Sequence, residues 1–487
     1  MTTPVRHRPG AARLLSLVLA LSLGHAPGAR PAQAQPELRL LPAEKPRVFV
    51  LTDITNEPDD QESLVRFLVY ANEYDVEGLV ATTSTHLRTR VRPDKIEELV
   101  AAYGQVRENL LLHAPGYPTE AYLRARIRAH LPRYGMEGVG EGKDSDGSQL
   151  LIDVVDREDD RPVWVTVWGG ANGLAQALWK VRQTRSAEAL DRFVSKLRVY
   201  TISDQDDSGP WLRREFPGLF YVVSPSNEDW REYYEATWTG IAGDRHYRNG
   251  PFHHFELVDN PWLEEHVMRG HGPLGALYPP LAYIMEGDTP SFLGLIDNGL
   301  GSAHSPAYGG WGGRYVLYRS YAESRPIWTN NMEARDAVVA ADGRTYVSAQ
   351  ATIWRWREAF QHDFAARMDW CVRPYDEANH NPVVVVEGHA GTGVLEATAA
   401  AGDALVLSAA GTSDPDGDAL AYRWWVYPEA GTYTGEVPVE GADTPTVRLQ
   451  LPADMAGQTI HLILEVTDDG TPVLRRYRRV IVTATGS

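Results

Sequence analysis

Residues 47–60 read RVFVLTDITNEPDD, and the fold turns on this junction. Val48, Phe49, Val50 and Leu51 form a short apolar run, the composition of a buried strand. Pro58 lacks a backbone N–H and turns its predecessor away from helical geometry. The strand therefore ends at Thr52, and a helix starts near Asp59 with Asp59 and Asp60 at its positively polarised N-terminus. Helix capping accounts for either of these acids, but not for Asp53 at the strand end as well. Carboxylates this close repel one another unless water, a cation or a splayed backbone offsets the repulsion. Calcium, which takes roughly six to eight oxygen ligands including carboxylates and backbone carbonyls, would do so, and Asp53 and Asp60 are placed to reach one ion.

Outward from this junction the pattern alternates. Strand candidates are Arg47–Thr52, Val76–Thr82, Leu110–Ala114, Val163–Trp168, Leu197–Ile202 and Phe220–Val223. Helical stretches are Gln61–Tyr74, Arg92–Tyr103, Ser148–Asp156 and Gly173–Gln183. Apolar strands separated by amphipathic helices predict an α/β fold with a mostly parallel sheet and flanking helices. In such folds ligands sit at the carboxyl ends of the strands. That places LTDITNEPDD, VWGGANG and ISDQDDSG around one site. Residues 267–335 are rich in Gly and Pro and read mostly as loop, and 346–366 read as helix. After Pro382, short β-rich runs alternate with turns, predicting a C-terminal all-β immunoglobulin-like sandwich of the PKD or cadherin-like class. Asp414, Asp416 and Asp418 lie in one of its turns and read as a solvated turn rather than a calcium site.

Three segments result: a leader over 1–34, an α/β domain over 46–378 and the β-sandwich over 383–487. The leader carries Arg6, Arg8 and Arg13, the apolar run Leu14–Leu23 and the small-residue site Ala32-Gln33-Ala34, the pattern of a cleavable signal peptide. The expected location is secreted or periplasmic. Removing the leader takes four arginines and no acids, so the formal net charge moves from −18 to −22. A chain this acidic predicts no nucleic-acid partner and no anionic membrane partner. With a single cysteine, Cys371, no intramolecular disulfide can form. The 14 Trp and 23 Tyr suffice to fill large cores and line a cleft.

The aspartates at 53–60 resemble the D-x-D-x-x-x-D-D motif of the inosine-uridine-preferring nucleoside hydrolases, in which they hold a catalytic calcium. Asp53 and Asp60 match the first and last acids, and Thr55 stands where the family has its second. In a second alignment, with a two-residue insertion, Asp53 takes that role; both remain open. WGGANGLAQAL (168–178) is similar to the family's G-P-L-T-N-x-A loop, which implies a calcium-ligating carbonyl at Ala171. MEGDTPSFLGL (285–295) resembles the late H-D-x-x-A segment, implying that Asp288 is a ligand, with Gly287 where the family often has His. A closer resemblance is to secreted bacterial proteins of the nucleoside hydrolase-like, cellulose-binding family. These share TDI-[ST]-NEPDDQ-x-SL, GGANxLAQAL, ISDQDD, EGDTPSFLxLI and GGWGGRY, followed by an immunoglobulin-like tail.

The resemblance implies calcium held by Asp53, Asp60, Ala171 and Asp288, with Asp53 or Asp59 as the catalytic base. Expected contacts to a carbohydrate or nucleoside-like small molecule are Asn56, His86, Asn172, Asp206 and Trp311. Trp311, framed by glycines in GGWGGRY, reads as a surface platform for a sugar ring. The expected function is an exported calcium-dependent hydrolase of O- or N-glycosidic bonds in a glycan. The alternative is a carbohydrate-binding protein that keeps the fold without turnover. No P-loop, G-x-S-x-G or H-E-x-x-H motif is present.

Overall fold

The computed structural model describes residues 37–224, 234–243, 253–320, 323–340 and 342–486; the expected leader lies outside them. Two strands open the described chain, β1 (Glu37–Leu41) and β2 (Arg47–Thr52). Every residue of β2 is buried, as in a sheet covered on both faces. Its side chains alternate between two cores: Val48 and Val50 join one, Phe49 and Leu51 the other.

Around β2 runs an eight-stranded sheet with the order β4-β3-β2-β5-β6-β7-β9-β8. The further strands are β3 (Asp75–Ala81), β4 (Ile127–Ala129), β5 (Val163–Val167), β6 (Leu197–Thr201), β7 (Phe220–Val223), β8 (Val316–Tyr318) and β9 (Ile327–Thr329). All neighbours pair in parallel except the edge strand β8, which pairs antiparallel with β9. One face is covered by α1 (Asp59–Val69), α2 (Pro93–His113) and the later helix Arg357–Asp369, and α3 (Glu120–Arg124) packs beside α2. The other face carries α4 (Asp146–Val155), α5 (Asn172–Thr184), α6 (Ala187–Ser195) and α7 (Ser208–Glu215).

Two local expectations are corrected. Leu110–Ala114 is not a strand but the end of α2. The buried stripe Ile96, Leu99, Tyr103, Val106, Leu110 continues at helical spacing, whereas Leu112 is 56% exposed. Residues 346–366 are not one helix. Thr345–Ser348 pairs antiparallel with Asp336–Val339, and helices follow at Ala351–Trp354 and Arg357–Asp369. The alternating exposure along Thr345–Ser348 has the period of a strand.

The C-terminal region is a two-sheet sandwich. Strands Val394–Ala400, Arg475–Thr485, Thr459–Thr467 and Ala421–Tyr427 form one sheet, and Ala404–Ser408, Thr446–Gln450 and Val439–Glu440 the other. The first sheet is completed by β1, which pairs antiparallel with Val394–Ala400. The chain thus begins its described part in the sandwich, crosses into the α/β sheet and returns. Val394–Ala400 pairs in parallel with Arg475–Thr485, so that sheet is mixed. Among the described residues, no helix is long and apolar enough to cross a membrane.

Candidate functional site

At the carboxyl end of β2 the backbone leaves the sheet and Asp53 turns inward, 4% exposed. Thr52 Oγ1 accepts the N–H of Ile54 (3.1 Å) and donates to Asp60 in the first turn of α1. That hydroxyl sets the distance between strand end and helix start. Asp53 is fixed from the next strand, where Ser84 Oγ, just beyond β3, donates to its Oδ2 at 2.5 Å. From the far side comes Asp288, 3% exposed. Its loop is held to α1 by Arg66, which pairs with Glu286, and by Glu62, which accepts the Glu286 N–H at 2.9 Å. Gly287 lets this loop come close: a Cβ there would lie 2.9 Å from Asp59 Oδ2.

These elements enclose a cavity of about 220 Å³. Its inner wall is Asp53, Asp60, Asp288, Trp168, Ile202, Trp238 and Ile284, all buried. Its outer part is Asn56, Glu57, Asp59, Gln205, His86 and Tyr283. Carboxylate oxygens of Asp59, Asp60 and Asp288 all lie within 4.8 Å of one another. Burial pushes Asp53 up to about 6. Burial, then Glu57 and Asp53, push Asp59 up to about 8. Asp60 and Asp288 are raised well above the usual carboxylate range by burial and by the neighbouring acids. Among the described residues no lysine or arginine pairs with any of the four, and Asp288 Oδ2 is buried without a hydrogen-bond partner. An all-oxygen, multiply acidic donor set with an unpaired buried oxygen fits a hard divalent cation.

Of the residues singled out from sequence, Asp53, Asn56, Asp59, Asp60, His86 and Asp288 meet at this cavity. Four do not. The Ala171 carbonyl accepts the Ala175 N–H at 3.0 Å as the first acceptor of α5, and Trp168, three residues earlier, lines the cavity instead. Asn172 is fully buried, its amide used up by Thr82, Thr83 and the Arg133 carbonyl. Asp206 folds back on Ser208, accepting its N–H at 2.9 Å behind Gly170. Trp311 is no surface platform: it is 1% exposed and packs edge-on to Phe360. The glycines around it permit close packing, since a Cβ on Gly312 would lie 2.7 Å from the Gly294 nitrogen.

Several site residues were not singled out. Ser84 lies just beyond the strand candidate Val76–Thr82, Trp168 ends the candidate Val163–Trp168 and Gln205 lies within ISDQDD, so proximity to strand ends could have found them. Trp238, in the short 3-10 helix Thr237–Ile241, and Tyr283, in a loop, had no comparable signal. Thr55, in the position of the family's second aspartate, adopts a left-handed φ of 88° and its buried hydroxyl has no partner. The second acidic group, Asp414, Asp416 and Asp418, is not simply solvated: Asp416 accepts the His380 N–H at 2.7 Å.

Two family models match the chain. Cellulose-binding Sde182, nucleoside hydrolase-like domain, matches residues 47–315, and cellulose-binding protein Sde0182, C-terminal domain, matches residues 404–484. Among solved structures, a nucleoside hydrolase-related hypothetical protein from Saccharophagus degradans, associated with carbohydrate metabolism, is 39% identical. The match covers 91% of this chain and 100% of that one, with a TM-score of 0.77. The type III effector XopQ, solved with adenosine diphosphate ribose, is 12% identical over 70% of this chain and 96% of its own. Its TM-score is 0.26. No curated protein matches.

Proposed function

The chain belongs to the cellulose-binding, nucleoside hydrolase-like family, and we propose that it is an exported, calcium-dependent hydrolase of glycosidic bonds in a glycan. One observation carries the reading: Asp59, Asp60 and Asp288 converge within 4.8 Å at one side of a cavity, with Asp288 Oδ2 buried and unpaired. These three would hold the ion, which when bound supplies a site for sugar hydroxyls and lowers the pKa of a water. Asp53 stands beside the three, clamped by Ser84, and serves as the base that takes the proton of the attacking water. The concentrated negative charge favours an oxocarbenium-like transition state. Trp168 and Trp238, both buried, close the inner wall of the cavity and exclude solvent from it. His86, exposed at the rim, would hydrogen-bond the sugar.

A second reading, sugar binding without turnover, is favoured by Thr55. Its hydroxyl has no partner, and it is absent from the cavity lining. The test is sugar release from plant polysaccharide and nitrophenyl glycosides, with calcium and with chelator, by the wild type and Asp60→Ala. Release that needs calcium and disappears in Asp60→Ala supports hydrolysis. Calcium-dependent retention on polysaccharide with no release supports binding alone. A protein that binds no calcium overturns both.

A further inference from the structure

α2 ends on His113, and the segment leading into the sandwich carries His380, which is 5% exposed. His113 Nδ1 and His380 Nε2 lie 2.9 Å apart. The ring centres are 5.1 Å apart and the planes differ by 25°, so the rings meet edge to edge, as a hydrogen bond between them requires. Outward from the pair, His113 Nε2 lies 2.9 Å from the Arg373 carbonyl oxygen. His380 Nδ1 lies 3.0 and 3.1 Å from the two carboxylate oxygens of Asp416, in a turn of the sandwich. Trp370 stacks on both rings, and Tyr375 on His380 at 3.9 Å between centres.

Counting protons along this row fixes its charge. A carbonyl oxygen only accepts, so His113 Nε2 carries a proton; a carboxylate only accepts, so His380 Nδ1 carries another. The bond between the rings needs a third, and two neutral imidazoles bring only two. The third proton makes one ring an imidazolium. It does not reside on Asp416, because an imidazole outcompetes a carboxylate for a proton, with ordinary pKa values of about 6.5 and 3.9. Burial pulls His113 down from its ordinary value, which leaves the charge on His380, beside Asp416. The other charged groups around the pair are Asp369, held by Arg373 at 3.0 Å and His271 at 3.2 Å, exposed Asp376 and Glu377 on the turn that carries Tyr375, and Asp414, Asp418 and Asp468 on the sandwich side. Without the third proton, one contact in the row sets lone pair against lone pair, and the row opens there.

We propose that this row is a proton-dependent clamp: with three protons it ties the end of α2 and the Asp416 turn to the segment between them, and with two it releases that corner. The closed corner binds the proton, so it opens as pH rises. Elsewhere Arg476 pairs with Asp363 and Arg475 with Glu358, so the sandwich stays docked and the opening is local. Nitrogen NMR of the protein labelled in histidine reads the ring protons. Exchange of the His380 amide, which donates to Asp416 Oδ2 at 2.7 Å, reads the clamp. As pH falls and His380 gains its second ring proton, His113 should stay neutral with its proton on Nε2. Protection of that amide, corrected for intrinsic exchange, should rise about tenfold in the same step, as for one hydrogen bond to a charged group. Asp416→Asn keeps the shape and removes the counter-charge, so His380 should release that proton about one pH unit lower, a tenfold loss in proton affinity. In His113→Phe one neutral ring satisfies the one remaining contact, so amide protection should no longer follow the charge of His380. Two rings that gain their charges together, as independent histidines do, overturn the clamp. So does amide protection in the wild type that ignores the His380 charge.

Discussion

Arg66 and Glu286 form an ion pair in which neither side chain is exposed to solvent. The pair ties the helix that carries Asp59 and Asp60 to the loop that carries Asp288. Tyr278 Oη donates to Glu286 at 2.8 Å and Thr289 Oγ1 at 2.9 Å, while the guanidinium lies 3.9 Å from the centre of the Phe364 ring. Removing one member leaves the other charge buried and unpaired, which typically costs about 3–5 kcal/mol. Glu286→Ala is expected to lower unfolding free energy by that order in urea titrations. It should also weaken calcium affinity, because Asp288 loses its anchor. A substitution that changes neither would show that the loop is held by other contacts.

Asp288→Asn separates charge from shape. Without calcium, the wild type carries four crowded acids that burial and mutual repulsion disfavour as anions. Removing one of those charges should leave the protein in chelator as stable as the wild type, or more stable. With calcium the order reverses. The wild type should gain about 2.7 kcal/mol at a hundredfold excess over Kd, and Asp288→Asn little. Thermal unfolding of both proteins, with and without chelator, measures the crossing. Equal responses to calcium would remove Asp288 from the ligand set.

Gly169 tests the position of Asp53. A Cβ there would lie 2.6 Å from Asp53 Oδ1 and 2.9 Å from its Cγ. The carboxylate cannot swing aside without giving up Ser84. Gly169→Ala should therefore reduce turnover or sugar affinity by about tenfold or more, some 1.4 kcal/mol, while far-UV circular dichroism is unchanged. Full retention of activity would mean that Asp53 is not positioned for the reaction.

What could be read from sequence follows a physical line. β2 was legible because its apolar run ends in a proline-containing acidic loop, so Thr52 marks a true boundary. The clustering of Asp53, Asp59 and Asp60 was legible because all three lie within eight residues of one another at a strand end. Leu110–Leu112 misled, because a short apolar run does not distinguish a strand from a buried helix end. Trp311 misled because glycine marks close packing as readily as exposure. β1 had no signal of its own: its partner lies more than 350 residues away, and most of its side chains face solvent. Tyr283 was invisible because nothing in its neighbours marks a cavity mouth.

His130 gives the fold a dependence on acid. It is 3% exposed, its Nδ1 lies 2.8 Å from Ser145 Oγ, and its Nε2 is buried without a partner. Burial pulls its pKa down to about 4, against an ordinary 6.5. Between those values the unfolded chain binds the proton and the folded one does not. Stability from this group is therefore complete above pH 6.5 and lost as pH falls towards 4. At 1.36 kcal/mol per unit, the loss is at most about 3 kcal/mol. His130→Gln should flatten the unfolding free energy across that window. An unchanged slope would assign the acid sensitivity to other groups.

The strand that begins the described chain guards a sheet edge. β1 contributes few buried side chains; Leu40 is 40% exposed. What it supplies is a ladder from Glu37–Thr398 to Leu41–Val394 that covers the edge of the sandwich sheet. An uncovered edge is a template for pairing with another chain. A protein truncated to begin at Pro42 should keep calcium affinity, because the site is built on β2, α1 and the Asp288 loop. It should self-associate through the bared Val394–Ala400 strand, visible as a concentration-dependent shift in size-exclusion elution. Thr398→Lys, on the exposed face of that strand, should suppress the association, since charge blunts an open edge. A truncated protein that stays monomeric at high concentration would show that the edge needs no cover, and would confine β1 to linking sandwich and α/β sheet.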